Sequence, residues 1–273
     1  VENLMQFGGG GVSVVVPTLG RPEALARCVA ALKCQTVPVE VVVVEDAEGR
    51  GPAWARNEGA RRAQGEVVCF TDDDCEPAPG WAEALVAPIL AGETRATTGP
   101  LQMGEGATPA DKAWEAIVNY LQVRAAAAGT ASPGFAVTAN LAARRSLLER
   151  IPFDESFPAA AGEDRDWGER AAREGSASRF VPGAVVEHQS GMGTRAFFRQ
   201  QYRYGRGAAR YRAAAPSRRP GVPSFYAALI RAGFASGLAP GLLVTAAQAA
   251  TLSGILAETA KTALEGPFLR SRR

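Results

Sequence analysis

"VSVVVPTLGRPEALARCVAALKCQTVPVEVVVVED" (residues 12–46) decides the fold class. Its first seven residues are a short β-branched run that ends at Pro17-Thr18, the composition of a fully buried strand. Residues 21–35 follow with apolar side chains at helical spacing and Pro22 in a plausible first turn. "VEVVVVED" (39–46) then reads as a second buried strand.

The pattern continues outward. Residues 51–65 read as a helix closed by Gly65, "EVVCFTD" (66–72) as a third strand, 79–90 as a helix and 94–101 as a weaker strand. Such β-α-β alternation predicts a parallel sheet with helices on both faces. In open α/β sheets ligands bind beyond the carboxyl ends of the strands. Pro17-Thr18, Glu45-Asp46 and the run Asp72-Asp73-Asp74 all fall at such ends. Three adjacent carboxylates at a strand end mark either a solvated turn or the seat of something positive.

Further along, 110–128 reads as a helix, "GTASPG" (129–134) as a loop, 135–151 as a strand and a helix, and 162–175 as a polar helix. Residues 178–189 are strand-like, and 194–212 form an Arg- and aromatic-rich helix. A Pro-rich linker (215–224) leads to a stretch, Ala232–Ala257, without a charged residue. That stretch is long enough to span a bilayer, but Pro240 and its many small and polar residues predict a pair of short helices, packed on the domain or lying on a membrane.

A chain of 273 residues suits one large domain, or one domain with an appendage, and 47% hydrophobic against 21% charged residues excludes a disordered chain. A net charge of +2 gives no general case for nucleic acid. The charge is unevenly spread, however. No Asp or Glu lies between Glu187 and Glu258, while nine Arg do, which predicts an anionic ligand or membrane surface near this segment. Cys28/Cys34 and Cys69/Cys75 lack zinc-site spacing and read as reduced, mostly buried thiols of a cytoplasmic protein. "VENLMQFGGGG" (1–11) has neither the basic start nor the apolar core of a signal peptide and reads as a flexible leader.

The ordered set "VSVVVPTLGRPEALARCVAAL", "VEVVVVEDAEG", "ARNEGARRAQGEVVCFTDDDCEPAPGW", "NLAARRSLLERIPFDESF" and "GEDRDWGERAAREG" resembles the inverting family 2 glycosyltransferases over residues 12–212. The resemblance implies a Rossmann-like GT-A fold: α/β, a mostly parallel mixed sheet with helices on both faces, here with a C-terminal helical extension. It divides the chain into a glycosyltransferase domain at 12–214 (donor half 12–103, acceptor half 104–214) and a helical extension at 215–273. It also implies a nucleotide-diphospho-sugar donor and a divalent ion, Mn2+ or Mg2+. A hard cation takes oxygen ligands and bridges carboxylate to diphosphate, so the acids suit that chemistry.

The resemblance also assigns roles. In the Asp-X-Asp motif, Asp74 ligates the metal and Asp72 contacts ribose or metal-bound water. Strand alternation predicts that Asp73 points away and that its replacement is the mildest of the three. The competing reading of the run is an acidic turn before the helix near Trp81. His188, the one histidine, is a metal ligand or diphosphate contact on the family pattern and a structural imidazole otherwise. Asp164 is the implied catalytic base, with Glu163 orienting the acceptor. An acidic helix start favoured by the macrodipole is the plainer explanation. Asp166 is expected to pair with Arg170, four residues on.

Pro17, Thr18, Arg21, Asp46 and Arg56 match positions that cradle the nucleotide, with Asp46 on the base and Arg56 on base or phosphates. The family's usual Asp-Asp-Gly-Ser is Glu45-Asp46-Ala47-Glu48 here, and Arg21 stands where Glu is frequent, so the base stays open between UDP, favoured, and GDP. Gln200-x-x-Arg203-Tyr204 resembles the Gln-x-x-Arg-Trp motif of processive members, in which the Arg meets the diphosphate. Tyr for Trp argues for a non-processive enzyme. Arg199, Arg203, Arg206 and Arg210 form one helical stripe, either solvated or facing an anionic partner.

The function expected is therefore transfer of one sugar to a hydroxyl of a glycan, lipid, peptide or small molecule, in the cytoplasm or at the inner membrane face. A nucleotidyltransferase is the first alternative, but "PTLGRPEA" (17–24) offers only one Gly and one Arg for a phosphate loop. A non-catalytic module binding sugar nucleotides or a membrane surface is the second.

Overall fold

The structure is a computed structural model that describes residues 11–127, 136–157, 161–213 and 221–270. The loop expected at 129–134 and most of the leader lie outside the described residues, as does much of the linker. The chain forms two compact units, Val1–Gly104 with Leu121–Ala159 and Asp164–Gln189, and Glu105–Tyr120 with Ala160–Glu163 and Ser190–Arg273.

The first unit holds both sheets. A six-stranded sheet has the order β2 (Val39–Glu45), β1 (Val12–Thr18), β3 (Val67–Phe70), β7 (Leu141–Arg144), β5 (Ala96–Thr98), β8 (Arg179–Phe180). Only β7 runs against the others, antiparallel to both β3 and β5. A second, three-stranded sheet sets β4 (Cys75–Pro77), β9 (Val186–His188) and β6 (Leu101–Met103) side by side. Its register places Cys75 opposite His188.

Strand alternation gives the large sheet two buried faces. Val15, Val44, Phe70 and Leu141 pack with α2 (Pro52–Arg62), α5 (Arg145–Arg150) and α6 (Glu163–Arg173) in one core. In the neighbouring register Thr97 bonds Leu85 O of α3 (Trp81–Leu90) at 2.7 Å. Gly59 lets α2 close on β1, because a Cβ there would overlap the Val15 side chain. Asn140, fully buried, ties the layers: it accepts from Trp81 Nε1 at 2.8 Å and donates to Pro100 O and Ala184 O at 2.9 and 2.8 Å.

Three sequence expectations change here. β2 is a sheet edge, with Val43 37% exposed and only Val44 buried, because an apolar run does not reveal whether a partner covers both sides. Helix α2 ends at Arg62, where the Ala63 amide bonds Gly59 O, and not at Gly65, whose N–H instead meets Ser13 Oγ at 2.8 Å. The C-terminal stretch is not two short helices. α8 (Pro223–Ala235) covers only its first four residues, and α9 runs unbroken from Leu238 to Arg270. Pro240 sits in the first turn of α9, where a missing N–H costs nothing.

The second unit contains most of α4 (Pro109–Ala127), with α7 (Thr194–Ala213), α8 and α9. In it α7 clusters with α8 and α9. The reason is a close crossing of α7 and α9: a Cβ on Gly205 would strike the Thr251 carbonyl, and one on Gly254 the Tyr202 carbonyl. Glu258 of α9 accepts from Arg206 Nε and Arg210 Nε, each at 2.6 Å. Two members of the predicted cationic stripe thus share one acid within the chain, about fifty residues away.

Candidate active site

The three acids do not continue β3. That strand stops at Phe70, residues 73–74 form a turn, and β4 starts at Cys75. Turn geometry replaces period-2 alternation, and the three carboxylates take three environments.

Asp73 is wholly buried, a correction to the expectation that it points away. Thr18 Oγ1 donates to its Oδ2 at 2.6 Å, Arg21 Nε reaches the same oxygen at 3.2 Å, and Arg21 Nη2 pairs with Oδ1. Burial pushes the Asp73 carboxyl up, and the Thr18 hydrogen bond and Arg21 charge only partly offset this. Thr18 ends β1 and Arg21 precedes α1 (Pro22–Lys33), so the first strand-helix turn is locked onto the acid run.

Asp74 faces a guanidinium and an imidazole. Arg21 Nη1 meets its Oδ2 at 2.5 Å, and His188 Nε2 lies 3.3 Å from Oδ1. Burial alone would raise the Asp74 carboxyl, but His188 and then Arg21 outweigh it and hold it down at about 2. The β4–β9 pairing delivers His188 to this point from more than a hundred residues away. Asp72 is the most open of the three, and its Oδ1 accepts from Arg56 Nη2 at 3.1 Å. Arg56 is buried on α2.

Asp46 is buried and holds its own loop: its two oxygens accept from Arg50 N at 2.8 Å and Gly51 N at 2.7 Å. Its N–H bonds Thr18 O at 3.1 Å, which places Asp46 beside the end of β1. Pro17, opposite Val44, lies on the same strand end.

Glu163 and Asp164 open α6. Glu163 is buried, and Asp164 Oδ1 accepts from Arg165 N at 2.7 Å. Asp166 pairs with Arg170 at 2.6 Å, as the spacing predicts. One turn on, Trp167 stacks on Phe153, whose ring meets Phe70 edge-on, each pair 5.5 Å between centroids. These rings tie α6 to the end of β3, immediately before the acid run. Arg203 and the Gln200-x-x-Arg203-Tyr204 motif lie on α7 in the second unit, where Trp114 Nε1 contacts Tyr204 Oη at 3.4 Å.

Among the described residues, Asp74, Cys75 and His188 bring ligand atoms within 4.8 Å of one another. A carboxylate oxygen and an imidazole nitrogen suit Mn2+ or Mg2+ better than a thiol does. Burial, reinforced by Asp72 and Asp74, holds the Cys75 thiol protonated. Asp74 and His188 therefore fit a divalent ion, and Cys75 is a neutral neighbour. Asp72 is not in the cluster.

Sequence reasoning missed Asn57. Its side chain bonds Phe153 O at 2.9 Å, Phe153 N at 2.9 Å and Glu155 Oε1 at 2.8 Å, holding the Phe-Asp-Glu segment against α2. A lone Asn on a helix carries no signal of such a clamp.

Known proteins fit this picture. The glycosyltransferase AglE of Haloferax volcanii is 25% identical over 230 residues, 72% of either chain. The pre-mycofactocin glycosyltransferase of Mycobacterium tuberculosis is 28% identical over 223 residues, 72% of this chain and 47% of that one, so the chain spans about half of that relative's length. In three dimensions the chain is similar to the mannosyltransferase PcManGT from Pyrobaculum calidifontis in complex with GDP-Man and Mn2+ (TM-score 0.53, 20% identity, 97% of this chain and 88% of that one). It is also similar to S. aureus TarS 1-349 in complex with UDP (TM-score 0.51, 17% identity, 94% and 92%). Both share the GT-A fold. The "Glycosyl transferase family 2" model matches residues 41–151 and the "Glycosyl transferase family group 2" model residues 115–260, more than half of the chain. The chain belongs to the family 2 glycosyltransferases and is a glycosyltransferase enzyme.

Proposed function

We propose that this glycosyltransferase is metal-dependent, inverting and non-processive, and moves one sugar from a UDP-sugar, or a GDP-sugar, to an acceptor hydroxyl. The observation that carries the reading is the gathering of Thr18, Arg21, Asp73, Asp74 and His188 at the ends of β1, β3 and β9. A divalent ion held by Asp74 and His188 would neutralise the departing diphosphate. Pro17, Thr18, Asp46 and Arg56 line the nucleotide, Asp72 takes the ribose, and Asp73 fixes Arg21 and Thr18 in place. Arg203 serves the diphosphate on the strength of its motif. Asp164 accepts the acceptor's proton as that oxygen bonds the anomeric carbon, and the bond to the nucleoside diphosphate breaks with its electrons. Glu163 orients the acceptor.

Hydrolysis of a panel of UDP- and GDP-sugars with Mn2+ or Mg2+ tests the reading. Asp164→Asn should keep donor binding and lose transfer, and normal turnover would sink the base assignment. Measurable binding without hydrolysis or transfer from any donor would favour a binding module instead.

The location assigned is cytoplasmic, peripheral at a membrane. Leu238–Leu264 is long and apolar enough to cross a bilayer, and its exposed side chains include Leu238, Leu242, Leu252 and Leu256. An amphipathic helix lying in the headgroup region is the form that matches the Glu258 ion pairs on the opposite side of α9. Flotation with anionic vesicles tests it, and absence from the vesicle fraction would rule it out.

A further inference from the structure

Asp73 and Asp74 share a single guanidinium. Arg21 grips Asp73 with Nε and Nη2 and reaches Asp74 with Nη1. The grip on Asp73 is the firm one: that carboxylate is 0% exposed, takes a third hydrogen bond from Thr18, and has no water to turn to. The contact with Asp74 is the loose one. Arg21 is 50% exposed and Asp74 has His188 on its other oxygen. So the cation that resolves the repulsion inside the acid run also occupies one oxygen of the residue best placed to hold a metal.

The charges then decide which ligand comes first. With Arg21 in place, Asp73 and Asp74 present one net negative charge; without it they would present two. A divalent ion arriving alone meets a half-neutralised site, whose pull on it is correspondingly weaker. A doubly anionic diphosphate reverses the balance. It offers the exposed Nη1 a more highly charged acceptor than one oxygen of Asp74, in a charge-assisted hydrogen bond.

We propose that Arg21 makes metal uptake depend on the donor. In the donor-free enzyme it covers Asp74 Oδ2. When the diphosphate binds, Nη1 leaves Asp74 for a phosphate oxygen while Nε and Nη2 keep their hold on Asp73, and Asp74 is released to the ion. The inference rests on the reading above that Asp74 and His188 hold the metal.

Binding of Mn2+ alone, followed by electron paramagnetic resonance and by calorimetry, tests this without turnover. Arg21→Gln should bind Mn2+ alone roughly tenfold tighter than the natural chain, the size of a modest coupling. UDP or GDP should raise Mn2+ affinity by a larger factor in the natural chain than in Arg21→Gln, where only the diphosphate's own oxygen ligands add to the site. Because Arg21→Gln strands the buried Asp73, Arg21→Lys is the companion: one ammonium can pair with Asp73 but cannot span both carboxylates, so it too should tighten Mn2+ binding, by less. Unchanged or weaker Mn2+ binding in both variants would overturn the proposal. Asp74→Asn separates the two levels of argument. If it abolishes Mn2+ binding while the Arg21 variants change nothing, only the role of Arg21 fails. If it leaves Mn2+ binding intact, the metal assignment fails and this inference with it.

Discussion

Asn57 grips Phe153 by both edges of its amide, donating from Nδ2 to the Phe153 carbonyl and accepting at Oδ1 from the Phe153 N–H, each at 2.9 Å. The pairing copies a strand ladder with a side chain in place of one strand. It matters because Phe153 sits between Phe70, which precedes the acid run, and Trp167, on the helix that carries Asp164. Asn57→Ala removes both bonds and the one to Glu155. The expected cost is about 1–3 kcal/mol in urea unfolding, the price of unpaired groups in a half-buried position. Asn57→Asp should be worse than Ala, because its carboxylate would face Glu155.

Asp73 gives a ranking test. Of the three acids it alone is fully buried, and it anchors Thr18 and Arg21. Asp73→Ala should lower the melting temperature more than Asp72→Ala or Asp74→Ala. The loss should be about 1–3 kcal/mol rather than the larger figure for a stranded buried charge, because the half-exposed Arg21 keeps water and Asp74. Equal melting temperatures for the three variants would contradict the buried placement.

What the sequence made legible follows from what each signal can carry. Strands β1 and β3 and helices α1 to α3 announce themselves through apolar runs and helical spacing, which are local. The edge position of β2 is not local, so the run 39–46 looked as buried as its neighbour. Strand β4 has three residues and ends in Pro77, too short for any periodicity, yet its pairing with β9 is what brings His188 to Asp74. Period 2 stops at Phe70, where the chain enters a turn, so alternation does not locate Asp73. The arginines of α7 looked unopposed because Glu258 lies 48 and 52 residues beyond them. Motif order, in contrast, is independent of such distances: it points to both Asp74 and His188, which the structure sets 3.3 Å apart.

The α7–α9 crossing predicts a steric limit. Gly205 and Gly254 each abut a backbone carbonyl of the opposite helix, and backbone cannot swing aside as a side chain can. Gly254→Ala should force the helices apart and cost about 1–3 kcal/mol, as overpacking does. Gly254→Val should cost more, and protease sensitivity of α9 should rise in step. A variant with natural stability and protection would show that the helices do not approach so closely.

Glu258 gives the pH test. Burial alone would raise its carboxyl, but hydrogen bonds and charge from Arg210 and Arg206 prevail and hold it below the ordinary range. A carboxyl whose folded value is depressed stabilises the fold fully above its unfolded value, about 4.3, and loses that contribution as pH falls through the lower folded value. Glu258→Gln leaves Arg206 and Arg210 without their shared anion at every pH. The gap in stability between the natural chain and Glu258→Gln should therefore be constant above about pH 5 and shrink below about pH 4. Added salt should narrow it only slightly, because the Glu258 side chain is only 7% exposed and screening acts chiefly on open pairs. A gap that instead widened on acidification would mean that the pair costs more to bury than it returns.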